Sequence, residues 1–103
     1  MATLIKDLNK LKEKINLLIY QKISITEFDK WIVTQIIKEN IDDYYQDLIL
    51  EMGTKLELLK VKFLNSVNWN KVSKLDYNKI DYPKEYLNKM LDKIERKIKN
   101  IKQ

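Results

Sequence analysis

Asp43, Asp47 and Glu51 stand four residues apart, with Glu39 and Asp42 just upstream. Four residues carry an α-helix through about 400°, so these three carboxylates stack into one stripe. Such a stripe can serve proton transfer, metal binding or the pairing of cations. Proton transfer at neutral pH lacks its usual carrier, because the chain has no His, and the absence of Cys removes the thiol nucleophile as well. Calcium-loop spacing such as D-x-D-x-D-G is missing, and a single Gly cannot build a phosphate-binding loop. The sequence therefore predicts no catalytic residue, no metal, no cofactor and no small-molecule substrate. Pairing with cations is what remains.

The distribution of charge sharpens that expectation. The whole chain carries +5 at neutral pH. Residues 23–59 nevertheless hold eight carboxylates against three lysines, and no lysine falls between Glu39 and Lys55. The flanking stretches are basic, so the total conceals an acidic centre. Charge segregated in blocks creates local fields that steer partners whatever the net value. A solvated helix face accounts for the same stripe. A docking surface for a basic protein uses it, with Tyr44 and Leu50 among the carboxylates as anchors.

The basic C-terminal part offers a competing surface. Lys60, Lys62, Lys71, Lys74, Lys79 and Lys84 interleave with Phe63, Trp69, Tyr77 and Tyr82. Lysines with aromatics can hold single-stranded nucleic acid through phosphate contacts and stacking. Arg96 is the only arginine in the chain, however, and no nucleic-acid motif is recognisable. The expectation is that these aromatics close the core, and nucleic acid is the disfavoured partner.

Helices must position these groups. At 103 residues the chain has the size of one domain spanning 1–103, and one Gly with one Pro is too few turn formers for a sandwich or barrel. Leu4, Leu8, Leu11, Ile15 and Leu18 make a seam that predicts a helix near 3–21. Ser24-Ile25-Thr26-Glu27 reads as a capping box, with Ile23 and Phe28 placed as a hydrophobic staple, and opens a helix to about 39. Its inward side should hold Phe28, Trp31, Ile32, Gln35 and Ile36. Asn40 reads as a stop, and Asp42 or Asp43 as the next cap. Tyr45, Ile49, Met52, Leu56, Leu59 and Phe63 then run in one register through Gly53, predicting a helix near 42–65 with a close contact or slight bend at the glycine, a break there being the alternative. Residues 66–82 lack a period, and a short helical turn near Trp69 to Leu75 is expected. Pro83 at N1 opens a last helix near 84–101, with Leu87, Leu91, Ile94, Ile98 and Ile101 as its seam. The expected fold is all-α, a single-domain four-helix bundle.

The segment from Leu17 to Phe28 resembles the colicin D immunity family and its relatives, which include immunity partners of contact-dependent inhibition toxins. Their shared feature is a first helix ending in a short turn, then I-S-x-x-E-F opening the second. Ile23, Ser24, Glu27 and Phe28 occupy those four specified positions. Leu50-Glu51-Met52-Gly53 through Leu56 to Phe63 is similar to the family's third helix, which can also carry a mid-helix Gly, and Ile80 to Ile98 is similar to its ending. The resemblance spans roughly residues 10–98 and is specific over about a dozen. It implies a helical bundle that blocks the active site of a cationic ribonuclease toxin domain, often a tRNase, with acidic side chains standing in for RNA phosphates.

The expected function is thus a cytoplasmic immunity protein, not an enzyme, that neutralises such a toxin. Glu39, Asp42, Asp43, Tyr44, Asp47, Leu50 and Glu51 form the expected partner-binding set, chosen by charge and spacing and not carried over from a motif. Immunity to a pore-forming bacteriocin, or a small phage or regulatory protein that binds or mimics nucleic acid, is the alternative. The opening MATLIKDLNKLKEKI offers no signal-peptide core, and no uncharged run approaches membrane-spanning length, so no membrane insertion is expected.

Overall fold

The computed structural model describes residues 2–68 and 79–102, which form four helices and no strand. The expected turn near Trp69 to Leu75 lies outside the described residues. Helix α1 (Ala2–Ile19) buries Leu4, Leu8, Leu11 and Ile15 along one seam. It stops short of residue 21 because Gln21 turns left-handed, with φ 57°. There the Gln21 N–H donates to the Leu18 carbonyl at 3.0 Å and the Lys22 N–H to the Leu17 carbonyl at 2.8 Å. This paired closure satisfies carbonyls that a helix end otherwise leaves bare.

Helix α2 (Ile25–Ile36) begins where the cap predicts, with the Glu27 N–H donating to Ser24 Oγ at 3.1 Å. It ends three residues before Glu39, and the left-handed turn at Asn40 comes after the end, not at it. Its inward side is narrower than expected. Ile25, Phe28 and Ile32 are buried, Trp31 and Gln35 sit at the rim, and Ile36 is exposed. Ile36 falls on the edge that faces the outer side of the next helix, so the core never closes over it.

Helix α3 (Asp43–Ser66) is capped by Asp42, whose carboxylate accepts the Tyr44 N–H at 2.8 Å. Tyr45, Leu48, Ile49, Met52 and Leu56 are buried, while Leu59 and Phe63 are only partly covered. Length explains the difference. The 24 residues of α3 and the 12 of α2 span about 36 and 18 Å at 1.5 Å per residue, so α3 outruns its neighbour. The helix runs unbroken through Gly53. Helix α4 (Lys84–Lys102) buries Leu87, Met90, Ile94 and Ile98. Pro83 stands one residue before α4 and not inside it, and its carbonyl accepts the Leu87 N–H at 3.2 Å.

Cross-links show an up-down-up-down bundle. Asp7 of α1 meets Lys38 just past α2, Asp29 of α2 meets Lys60 of α3, Tyr44 of α3 meets Lys97 of α4, and Lys12 of α1 meets Glu95 of α4. The tightest pairs are α2 with α3 and α1 with α4. Helices α3 and α4 stand further apart and are bridged by long side chains. Ile80 and Tyr82, just before α4, plug the core, where Tyr82 meets Phe28 edge-on at 5.8 Å and stacks on Tyr86 at 5.5 Å. No helix among the described residues is long and apolar enough to cross a membrane.

Candidate partner-binding surface

The core seam of α3 dictates what its outer face carries. Opposite Tyr45, Ile49, Met52 and Leu56 stand Asp43, Asp47, Leu50 and Glu51, all exposed and sharing one side of the helix. None of the three carboxylates makes an ion pair with another described residue. Among the described residues, their charge is left unpaired.

The other three residues of the expected set are placed differently. Asp42 is exposed, but its carboxylate is engaged as the α3 cap. Glu39 is exposed on the connection between α2 and α3, not on the helix that carries the stripe. Tyr44 is half-buried, and the Lys97 ammonium lies 4.5 Å from its ring centre. A cation on a desolvated aromatic face is held electrostatically, so that face of Tyr44 is already occupied within the chain. Lys89, Lys93 and Arg96 line the same α4 edge, with Arg96 paired to Asp92 at 2.8 Å. A basic ridge thus borders the acidic stripe.

The face also contains apolar groups, Leu50 as helical periodicity expects and others supplied by α2. Among the described residues, every exposed large apolar side chain except Tyr20 belongs to α2, to its C-cap Ile37, or to α3. Leu50 and Thr54 form a ridge between two grooves. One, of about 230 Å³, lies between α2 and α3 and is lined by Val33, Ile36, Gly53 and Glu57. The other, of about 530 Å³, lies towards α4 and is lined by Asp47, Glu51, Lys55, Leu58 and Tyr86. Leu50 and Leu58 are 43 % and 56 % exposed, so the acidic stripe is interleaved with apolar surface. The sequence places Ile36 on the inward side of α2 and carries no expectation for Val33, yet both are exposed. Their place depends on how α2 rotates against α3.

The local electrostatics separate used from unused charge. Lys60 donates to Asp29 at 2.8 Å and to Glu57 at 3.2 Å, so the carboxylates flanking the α2–α3 groove are already engaged. Partial burial alone would lower the Lys60 pKa, but these hydrogen bonds and charges outweigh it and hold the ammonium above its ordinary value. Burial, aided by Glu51, pushes the Tyr86 hydroxyl up to about 12, and its oxygen finds no hydrogen-bond partner among the described residues. Lys55 lies 5.6 Å from the Tyr86 ring centre.

The expectation that the aromatics between Lys60 and Lys84 close the core holds for the described ones, while Lys62, Lys79 and Lys84 stay exposed. Lys60 is locked to Asp29 and Glu57, Tyr82 is buried, and Phe63 packs against the core. Lys71, Lys74, Trp69 and Tyr77 lie outside the described residues. One buried charge escaped the sequence reading. Asp7 is only 7 % exposed, paired to Lys38 at 3.2 Å, with its second carboxylate oxygen unpartnered among the described residues. Its spacing was the signal, three residues after Leu4 and four before Leu11, on the buried seam.

The fold and surface define a small helical bundle presenting a mixed acidic and apolar face. Comparison with protein-family models, with curated proteins and with solved structures returned no match.

Proposed function

We propose that this protein is an immunity-type inhibitor that binds a cognate basic ribonuclease toxin domain, of the tRNase kind, and blocks its active site. The observation that carries the reading is the outer face of α3, where Asp43, Asp47 and Glu51 lack ion-pair partners among the described residues and surround exposed Leu50. Unpaired carboxylates attract a cationic partner at long range, and a desolvated apolar anchor slows its release. The resemblance of Leu17 to Phe28 to the colicin D immunity family supports the same reading. The partner set is Asp43, Asp47, Leu50 and Glu51 at the centre, with Glu39, Asp42 and Tyr44 at the edge.

The test begins with the neighbouring reading frame, which should encode a toxin domain. That domain is purified and its RNA cleavage measured with increasing inhibitor. Wild-type protein should abolish cleavage at stoichiometric amounts, and inhibition should weaken as salt rises. Replacing Asp43, Asp47 and Glu51 by Lys should remove inhibition while helix content stays intact, because each reversal turns attraction into repulsion. The matched variant Lys89, Lys93 and Arg96 to Glu should still inhibit. Loss of inhibition in that variant alone, or a neighbouring frame without a toxin domain, overturns the reading.

A further inference from the structure

We infer that the α2–α3 groove, floored by Gly53 and walled by Val33, Ile36 and Leu50, is the seat for a cationic amphipathic helix of the partner. This rests on the proposed reading that the partner is a basic protein, and it names the element of that partner which docks.

The first argument is Gly53 itself. Glycine in a helix interior is destabilising, and nothing in the packing requires it here. A methyl group added at Gly53 would lie 3.5 Å from Ile32 Cγ2 and 3.9 Å from Ile36 Cδ1, both ordinary contact distances. The φ is not positive, and the helix continues through the position. Alanine therefore fits the free protein. What it would do is fill the floor of the groove. Keeping that floor bare lets another backbone approach closely, as small residues do wherever helices pack.

The second argument is composition. Val33 and Ile36 are 51 % and 39 % exposed, and with Leu50 they form an apolar strip open to solvent. An amphipathic helix lays its i, i+4 and i+7 side chains into such a strip. Charge selects among occupants. Asp47 and Glu51 lie beyond the Leu50–Thr54 ridge, where they meet the flanking lysines or arginines of a seated helix. A second copy of this chain placed symmetrically on this face would bring acidic stripe towards acidic stripe, and an anionic membrane would be repelled.

The experiment uses the whole chain and two synthetic peptides of about 15 residues with identical composition. One places its leucines on one helical face with lysines flanking them; the other scatters the leucines around the helix. Wild-type protein should bind the face-ordered peptide at least about tenfold more tightly than its isomer, the scale of losing a buried anchor. Gly53→Ala should raise the melting temperature and yet weaken the ordered peptide by a similar factor, a combination that simple destabilisation cannot produce. Val33→Asn, an exposed change, should weaken it as well. Equal affinity for the two peptides, unchanged binding by Gly53→Ala and Val33→Asn, or self-association of the free protein through this groove overturns the inference. The toxin assay with the Asp43, Asp47 and Glu51 variant reads the broader proposal separately. If that variant loses inhibition while the peptides show no preference, only the groove assignment falls.

Discussion

The Tyr82 hydroxyl donates to the main-chain carbonyl of Met52 at 2.6 Å, inside the core. This bond ties the entry of α4 to the middle of α3, beside the Lys97–Tyr44 and Lys55–Tyr86 contacts that also bridge the two helices. Tyr82→Phe keeps the ring against Phe28 and Tyr86 and removes only the donor. The expected loss is about 1 kcal/mol, the net worth of a typical buried hydrogen bond, read from urea denaturation at unchanged slope. No change would mean that the hydroxyl does not act as the link between α3 and α4.

Alkaline pH should destabilise the bundle. Burial raises the hydroxyl pKa of Tyr45 and Tyr82 well above the ordinary value of 10.0, and that of Tyr86 to about 12. Above pH 10 the unfolded chain releases these protons while the folded chain retains them. The unfolded state then binds fewer protons, so stability falls as pH rises from about 10 upward and is unaffected by these groups below it. Denaturation curves between pH 9 and 12 should show that fall, and Tyr82→Phe should make it shallower.

Gly53→Ala should stabilise the free protein by about 0.5–1 kcal/mol, because it removes a mid-helix glycine without steric conflict. Thermal unfolding measures it. A destabilised variant would show that α2 and α3 approach more closely than a methyl group allows.

Lys38→Ala should cost about 1–2 kcal/mol, since it leaves the buried Asp7 carboxylate without its ammonium, discounted because the Lys38 side chain is itself half-exposed. Adding Asp7→Asn in the same chain should recover most of the loss by removing the stranded charge. A double variant no more stable than Lys38→Ala would place the cost in lost packing instead.

Ser24→Ala should cost roughly 1 kcal/mol, the usual loss for a helix cap whose side chain accepts the N3 amide. Circular dichroism and urea unfolding together would reveal it. Unchanged stability would mean that the Ser24 hydroxyl contributes nothing to the start of α2.

The sequence by itself determined the four helices, their order and most of their core. Periodicity of apolar residues is a local property, and caps such as Ser24 and Asp42 act within three residues of the helix they open. Opposition on one helix is also local, which is why the placement of Asp43, Asp47 and Glu51 opposite the α3 seam was legible, whereas their exposure in the bundle was decided by the tertiary structure. Only the tertiary structure decided what depends on helices meeting. Asp7 finds Lys38, and Asp29 finds Lys60, across 31 positions of chain. Tyr44 is covered by Lys97 from the far end of the sequence. Ile36 and Val33 stay exposed because α2 turns its core face onto α1 and α3 and leaves its edge over Gly53. Helical periodicity sets which residues share a face, but the rotation and length mismatch of neighbouring helices set which faces are covered.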